Sequence, residues 1–356
     1  MINSATDVPL SSTLLRRHAE LEELQGDGDS GRFLSGWQCE NPWSDDLRAQ
    51  ISAVRAGLPD DVYQYLDNDT LISDGLISFH SALDGIKPRC IFPGEGSSSL
   101  LFTTLAWLKE KGIEEIYYIP PLYFSAHFAL KLLGIRARPV SGRHAFEEGF
   151  TLNLPNQSST LLLSDPIWYA GVALEERLVD QIAQWQKNTE SFILVDGSFQ
   201  YMKWDSTTCE PTSRLDSDRT VRIVCPTKCL ALHGYRFAHA IIPAAARAQY
   251  EHTYANLYGS ASAESIAFGR VAAKALLDRK ITKSLVQLVT ERHARLRSEK
   301  KIAADWNANC GYFVFERVLA DLPESTLLMD GSYFEQKRYP DNRRINLLSP
   351  SIGLIS

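Results

Sequence analysis

The sequence predicts an α/β protein with a mostly parallel central sheet, helices on both faces of that sheet, and a smaller α+β domain. Short apolar runs alternate with longer helical patterns from about residue 89 to residue 243. These runs are nearly continuous in apolar residues, as in strands that are buried on both faces. After about residue 250 the chain changes to long helical stretches followed by two short strand candidates.

The strand candidates of the central region are short and rich in Ile, Leu and Val. In chain order they are RCIFPG, IEEIYYI, STLLLSDP, SFILVDG, TVRIVCP and FAHAIIP. SLLFTTLAWLKEKG and YFSAHFALKLLG follow the first two with helical spacing, and Gly134 suits the C-cap of the second helix. LEERLVDQIAQWQKN is amphipathic and begins with acidic residues, which a helix N-terminus favours.

We expect about two domains, because 356 residues exceed the roughly 250–300 at which a single core stops growing. Residues 61–250 form the large α/β domain, and 251–356 form the C-terminal small domain. Residues 1–60 are an N-terminal segment that is part of the small domain, with irregular structure around GWQCENPW. ASAESIAFGRVAAKALLDRK and ITKSLVQLVTERHARLRSEKKIAADWNAN predict long helices, and GYFVFER and RRINLLS predict strands.

Composition argues against several classes of protein. A net charge of −6 and a pI near 5.8 disfavour a nucleic-acid partner, which would require a basic face. No run approaches the ~20 apolar residues that span a bilayer, and the N-terminus lacks the apolar region of a secretory signal. The six cysteines lack disulfide-framework spacing, so we expect reduced thiols in the cytoplasm. Cys225 and Cys229 lie four apart without the further ligands of a zinc site, so no metal is expected.

Polar residues follow the apolar runs, where ligands bind in open parallel sheets. The turn 94–99, GEGSSS, opens a helix, and its small residues allow backbone N–H groups to approach a phosphate. The residues after the other runs are Tyr123, Asp165, Gly171, Asp196, Thr227, Lys228 and Arg236. Each has an ordinary alternative, such as a helix cap or a solvated lysine. Their joint position on one edge of the sheet indicates a ligand site.

In order and spacing these residues resemble the fold-type I pyridoxal-phosphate enzymes, in particular the class I/II aminotransferase branch. The resemblance extends from about Phe33 to Leu347, and its most specific segment is PTKCLALHGYRFAHAI, where a lysine precedes an arginine by eight residues. FILVDGSF resembles the segment whose aspartate pairs with the pyridine nitrogen, and PPLYFSAHFALKLLG the segment whose aromatic ring stacks on the cofactor. GEGSSSL resembles the phosphate loop of the histidinol-phosphate aminotransferase and threonine-phosphate decarboxylase relatives.

The resemblance implies pyridoxal 5′-phosphate as the cofactor and assigns a role to each matched residue. Lys228 would form the Schiff base and then carry the α-proton of the substrate. Asp196 would keep the pyridine nitrogen protonated, and Tyr123 would stack on one face of the ring. The residues that would hold the phosphate are Gly96, Ser97, Ser98, Thr227 and Arg236.

For the substrate, the resemblance implies an amino acid whose α-carboxylate is held by an arginine of RRINL. Arg344 matches the family position best and Arg343 is the neighbouring alternative, although an exposed basic pair on an edge strand would look the same. Gly36 matches a position near the carboxylate. The family forms dimers, so we expect a homodimer in which Tyr65 reaches the phosphate of the neighbouring subunit, unless Tyr65 is a core aromatic.

Two family motifs are altered in this chain. The usual N-P-x-N-P-T-G is replaced by DPIWYAG at 165–171, so Trp168 stands where an asparagine donates to the phenolic oxygen of the cofactor. Phe199 stands where a tyrosine normally donates to the same oxygen. Trp168, Tyr169 and Tyr201 are the candidates for a substitute donor. Loss of one such bond costs about 1.5–3 kcal/mol, enough to redirect the chemistry but not to abolish cofactor binding.

We therefore expect an aminotransferase-like enzyme that acts on an amino acid through Lys228. The first alternative is a lyase, decarboxylase, replacement enzyme or oxidase of specialised metabolism on the same scaffold; Arg344 argues against α-decarboxylation. The second alternative is a catalytically silent binding module, which the intact set of Lys228, Asp196 and Arg236 disfavours. A nicotinamide-binding domain is also disfavoured, because GEGSSSL lacks the G-x-G-x-x-G spacing and no acidic residue ends IEEIYYI.

Overall fold

The computed structural model describes residues 33–61, 69–88, 90–205, 209–258, 261–303, 305–323, 326–334 and 336–355. Tyr65 lies outside these ranges, so its predicted role stays a prediction. The helices within them are α1 Ser44–Ala56, α2 Thr70–Leu83, α3 Ser97–Glu110, α4 Phe124–Leu132, α5 Glu176–Thr189, α6 Pro226–Cys229, α7 Arg247–Leu257, α8 Ala263–Asp278 and α9 Lys280–Ser298. The strands are β1 Ile91–Gly94, β2 Glu115–Tyr118, β3 Arg136–Pro139, β4 Thr160–Ser164, β5 Phe192–Gly197, β6 Thr220–Val224, β7 Ala238–Ile241, β8 Phe313–Arg317, β9 Met329–Asp330 and β10 Asn342–Asn346.

Seven strands form the central sheet, in the order β1-β7-β6-β5-β4-β2-β3. β7 runs antiparallel to both of its neighbours, β1 and β6, and the other pairs are parallel. All strands except β7 therefore point in the same direction, and their carboxyl ends meet at one edge of the sheet. The predicted mostly parallel sheet is confirmed.

Helices cover both faces of this sheet because alternate residues of each strand point to opposite sides. Leu162 of β4 and Leu194 of β5 are buried in one core, together with residues of α3, α4 and α7. Their neighbours Leu163 and Ile193 are buried in another core, together with Ile182 of α5. A strand that is covered twice has no polar face, which explains the continuous apolar runs in the sequence.

Strands β3 and β9 were not predicted, and one predicted helix extends too far. The four residues of β3 are all exposed and include two arginines, so this edge strand has no apolar signature. β9 has only two residues, too few to form a pattern. The predicted helix after residue 280 is too long: α9 ends at Ser298, Lys300 has a φ of +56°, and Ile302 already pairs with Val318.

The C-terminal part contains α8, α9 and a small antiparallel sheet in the order β8-β10-β9. The described start of the chain contacts this part: Phe33 pairs with Leu327, and the amide nitrogen of Leu34 donates to the carbonyl of Leu327 at 3.1 Å. The domain boundaries at residues 60 and 250 stay predictions. Across the described ranges, no helix combines the length and apolarity that crossing a membrane requires.

Candidate active site

A cavity of about 240 Å³ opens at the edge of the central sheet where the carboxyl ends of the parallel strands meet. The predicted site residues that line it are Gly96, Ser97, Ser98, Tyr123, Thr227, Lys228 and Arg236. The sequence analysis did not assign the other lining residues, Trp37, Cys225 and His233, to the site. Segments that are distant in the chain thus meet at one cavity, as expected for this edge of an open α/β sheet.

One end of the cavity is suited to an anion. Gly96 precedes α3 with a φ of +95°, and no side chain caps the free N–H groups of the first turn of this helix. Arg236 packs directly on the glycine, because a Cβ built at Gly96 would lie 2.7 Å from its Nη2 atom. The N-terminus of a 14-residue helix and a guanidinium group therefore face the same place, which favours a phosphate or a carboxylate.

Lys228 lies at the centre of the cavity in the short helix α6. Its Nζ atom is 4.3 Å from the ring centroid of Phe199, 5.2 Å from that of Trp37 and 5.7 Å from that of Tyr123. Burial lowers the pKa of Lys228, and the positive charges of Arg236 and Arg344 lower it further, against the effect of Asp196. Its neutral amine is therefore more populated near neutral pH than that of an exposed lysine.

Asp196 is buried at the carboxyl end of β5, beside the strand that leads to Lys228. Its Oδ1 atom accepts hydrogen bonds from the amide N–H and the hydroxyl of Ser198. The carboxylate of Asp196 is thus held in place by its own loop, and its charge acts on the lysine amine.

Thr227 directly precedes Lys228. The hydroxyl of Thr227 donates to the carbonyl of Phe237 at 3.4 Å.

Arg344 is buried and surrounded by aromatic rings, although it carries a charge. Its Cζ atom lies 4.5 Å from the ring centroid of Phe313 and 4.8 Å from that of Trp37. Its Nη2 atom donates to the carbonyl of Ser35, but its Nε atom has no hydrogen-bond partner among the described residues. Burial lowers the pKa of Arg344 to about 9. Since a guanidinium stays protonated in proteins, this lowering indicates a buried charge that a carboxylate ligand would stabilise.

Arg343 and Gly36 lie on either side of this arrangement. Arg343 points away from the interior and donates to the backbone carbonyls of Pro340 and Asn342. The structure therefore separates the two arginines that the sequence left as alternatives, with Arg344 inside. Gly36 directly follows Ser35, whose carbonyl accepts from Nη2 of Arg344, and its own carbonyl accepts a hydrogen bond from Asn346 at 2.9 Å.

The three candidates for the missing donor differ in their contacts. The hydroxyl of Tyr169 is 2.6 Å from Nδ1 of His144, and the hydroxyl of Tyr201 donates to Asp84 at 2.6 Å. Both tyrosine hydroxyls thus have partners elsewhere. Trp168 packs edge-on against Tyr123, with 5.0 Å between the ring centroids, and its buried indole N–H has no partner among the described residues. Trp168 is the candidate with a free donor beside the cavity.

Trp37 and His233 were missed by the sequence analysis. Trp37 contacts both Lys228 and Arg344, and its ring is 6.1 Å from that of His233. Trp37 directly follows Gly36, and His233 lies five residues after Lys228. The one signal in the sequence that pointed to Trp37 and His233 was therefore their closeness along the chain to residues that match the family.

No family profile and no curated protein sequence matches this chain. Several solved structures are similar to it in fold. N-succinyldiaminopimelate aminotransferase from Mycobacterium tuberculosis has a TM-score of 0.77 at 17% identity, covering 96% of this chain and 98% of that one. The methionine aminotransferase YbdL from Escherichia coli has a TM-score of 0.76 at 12% identity, covering 99% of this chain and 97% of that one. The aspartate aminotransferase from Rhizobium meliloti has a TM-score of 0.74 at 15% identity, covering 99% of this chain and 96% of that one. Over nearly its whole length, the chain therefore has the fold of these aminotransferases.

Proposed function

We propose that this protein is an aminotransferase-like enzyme that holds pyridoxal 5′-phosphate on Lys228 and transfers the amino group of an amino acid to a keto acid. One observation carries the proposal. A lysine of lowered pKa lies in a cavity with an anion-binding end at Gly96 and Arg236, and close to the buried, unpaired Arg344. The shared fold supports the same conclusion.

The residues present fit the cofactor. A Cβ at Gly96 would meet Arg236, so the glycine allows that guanidinium to lie at the N-terminus of α3, where both would face a phosphate. The residues that would hold the phosphate are Gly96, Ser97, Ser98, Thr227 and Arg236. Asp196 would supply the carboxylate for the pyridine nitrogen, Tyr123 an aromatic face and Trp168 an N–H donor for the phenolic oxygen. When bound, the cofactor supplies an electron sink for the electrons of the substrate's Cα–H bond.

The protein itself supplies positioning and proton transfer. Arg344 would bind the α-carboxylate through its planar fork, because the guanidinium has no acidic partner among the described residues. The lowered pKa of Lys228 leaves a fraction of its amine neutral, so Nζ can accept the α-proton and return it. The rings of Trp37 and Phe199 exclude water from this proton transfer.

The proposal also includes a branch of the family and a homodimer. The turn GEGSSSL favours the histidinol-phosphate aminotransferase and threonine-phosphate decarboxylase branch, whereas the similar solved structures are N-succinyldiaminopimelate, methionine and aspartate aminotransferases. A homodimer is supported by a groove of about 540 Å³ that shares Ser98 with the cofactor end of the cavity. Its walls carry the exposed side chains of Phe128 and Leu257, and a second copy of the chain would cover them. In solution we expect the cytoplasmic enzyme to sediment as a dimer.

A second candidate function is elimination, replacement, decarboxylation or oxidation at the same α-carbon. Trp168 and Phe199 favour it, because they alter the hydrogen bonding that the family uses at the phenolic oxygen. Arg344 and the aminotransferase fold favour transfer of the amino group instead.

The test compares the purified protein with Lys228→Ala and with a surface control, Lys187→Ala, after incubation with pyridoxal phosphate. We expect a visible absorption band in the wild type and the control and none in Lys228→Ala. Borohydride reduction followed by peptide mapping should find the cofactor on Lys228. An amino-acid panel with 2-oxoglutarate should then yield a keto acid and glutamate in equal amounts. Release of ammonia, carbon dioxide or peroxide would support the second candidate, and failure to bind the cofactor in excess would refute the proposal.

A further inference from the structure

A second cavity adjoins the site on its outer side. It has a volume of about 500 Å³, and its lining includes Trp37, Cys39, Arg48 and His233. Trp37 and His233 line both cavities, so these two side chains form the wall between them. A substrate held by Lys228 and Arg344 that extends outward would pass this wall.

One ring nitrogen of His233 is already engaged. Its Nε2 atom lies 2.7 Å from the hydroxyl of Tyr312 and 3.6 Å from Sγ of Cys39. Burial raises the pKa of the Tyr312 hydroxyl well above its usual value and that of the Cys39 thiol to about 12. Both groups therefore keep their protons. Either can donate to the single lone pair of Nε2, and in that tautomer the proton of the neutral ring lies on Nδ1.

The other ring nitrogen is free. Burial, together with the positive charges of Lys228 and Arg236, lowers the pKa of His233 to about 3, so the ring is neutral in the physiological range. Its Nδ1 atom makes no hydrogen bond with the described residues. A neutral ring with one free nitrogen thus lies on the wall between the two cavities.

We propose that His233 is a specificity-determining residue, which donates its Nδ1–H to an oxygen atom on the side chain of the amino-acid substrate. This proposal rests on the proposed function and adds a substrate class to it. Tyr312 and Cys39 act as positioning residues, since they select the tautomer that leaves Nδ1 protonated.

The charges near the wall favour one kind of oxygen. No aspartate or glutamate is among the described residues that line the two cavities, and Arg48 lines the second one. Lys228 and Arg236 are engaged by the cofactor in the proposed function, so Arg48 is the cation that would face a substrate side chain. Arg48 forms no ion pair with a described residue. The potential at the wall is therefore positive, and it favours a side-chain carboxylate over an amide. An amide is in turn favoured over a hydrocarbon, because a hydrocarbon side chain would leave the Nδ1–H without a hydrogen-bond partner.

The kinetic test uses sets of substrates with similar shapes and two variants that each replace the histidine ring by a side-chain amide. The near-isosteric sets are aspartate, asparagine and leucine, and glutamate, glutamine and homoleucine. His233→Asn places an amide N–H near the position of Nδ1, whereas His233→Gln places it near Nε2. In the wild type, kcat/KM for the oxygen-bearing members of one set should exceed that of the hydrocarbon by about tenfold or more. His233→Gln should lower this ratio about tenfold, mainly through KM, and His233→Asn should keep it within about threefold.

Loss of the ratio to the same extent in both variants, or a wild-type preference for the hydrocarbon, would overturn the proposal. Such a result would leave the proposed function intact, because turnover itself would have been observed. If the wild type turns over no amino acid, the proposed function fails, and a separate measurement decides the role of His233.

That measurement is ¹⁵N NMR of the histidine-labelled wild-type protein, with the His233 signals identified by their loss in His233→Asn. We expect Nε2 to show the shift of an acceptor and Nδ1 that of a protonated nitrogen, with a mixture of tautomers in Tyr312→Phe. Titration with succinate and glutarate should shift the Nδ1–H signal. A proton on Nε2 in the wild type, or no response to either dicarboxylate, would overturn the proposal.

Discussion

A Cβ atom at Gly96 would lie only 2.7 Å from Nη2 of Arg236. The missing side chain therefore allows a guanidinium group to rest on the backbone that begins α3. Positive charge from the arginine and from the helix N-terminus is concentrated at this place. The contact joins a turn after β1 to a residue just before β7, and these two strands are neighbours in the sheet.

Gly96→Ala should weaken binding of pyridoxal phosphate by about tenfold or more, because the methyl group displaces Arg236 from the anion-binding end. The matched control is Gly112→Ala. Gly112 also has a positive φ, +84° against +95°, but a Cβ there would meet nothing within 4 Å. The affinity for pyridoxal phosphate is measured for each variant by titration of the apoprotein. Equal affinity in the two variants would contradict the assignment of the phosphate end.

Arg344→Met should reduce kcat/KM for amino acids by about 100-fold or more, since the α-carboxylate loses its fork. The free energy of unfolding without substrate should fall by no more than about 1 kcal/mol, because the change also removes an unpaired buried charge. Arg343→Met serves as the control and should change neither quantity substantially. Urea unfolding and steady-state kinetics on the same preparations test this prediction. A large loss of stability with little loss of activity would make Arg344 a structural residue.

Gly171→Ala should severely destabilise the fold. Its Cβ would lie 2.1 Å from the carbonyl oxygen of Phe313, where a loop of the central sheet meets the small sheet. Gly134→Ala is the control, because the two glycines have nearly equal φ, +66° and +65°, and nothing lies within 4 Å of a Cβ at Gly134. The control should cost about 1–2 kcal/mol of backbone strain, and Gly171→Ala roughly 2–4 kcal/mol more. Urea midpoints that agree for both variants would exclude a tight contact at Gly171.

Glu210 should make the protein less stable as the pH rises. Burial, reinforced by the charge of Asp165, raises the pKa of Glu210 from 4.5 to about 7. Between these two pKa values the folded state holds a proton that the unfolded chain releases. The stabilisation is therefore complete below about pH 4.5 and is lost as the pH rises to about 7. The free energy of unfolding falls by at most about 3 kcal/mol over this range. Glu210→Gln cannot ionise and keeps an oxygen for the amide N–H of Tyr201.

The free energy of unfolding at pH 5 and pH 8 tests this expectation. The wild type should lose more stability than Glu210→Gln between the two pH values, and the exposed control Glu299→Gln should behave like the wild type. Parallel pH dependence in all three proteins would show that Glu210 is not the titrating group.

Much of the site was predictable because its signals are local. Lys228 and Arg236 are eight residues apart in one segment, and Gly96 with Ser97 opens a helix directly after a strand. Such short patterns report a turn or a helix start that the backbone forms by itself. The predicted residues Asp196 and Tyr123 also follow apolar runs, and strand direction alone brings those positions to one edge.

Other features depend on contacts that no local pattern encodes. Trp168, Tyr169 and Tyr201 were all candidates for one hydrogen bond, and packing gives the two tyrosine hydroxyls partners elsewhere. The exposed strand β3 left no apolar signature, because an edge strand with solvent around it needs none.

The sequence by itself determined the class of the sheet, the strands that build it and the residues that end those strands, because burial on two faces leaves continuous apolar runs. Tertiary structure alone decided which arginine faces inward and which side chains close the site. Trp37, His233 and Tyr312 come from three distant segments, and they meet only when the N-terminal segment and the small sheet pack against the loop after Lys228. A contact between distant segments is selected by the free energy of packing the whole chain, which no single segment carries.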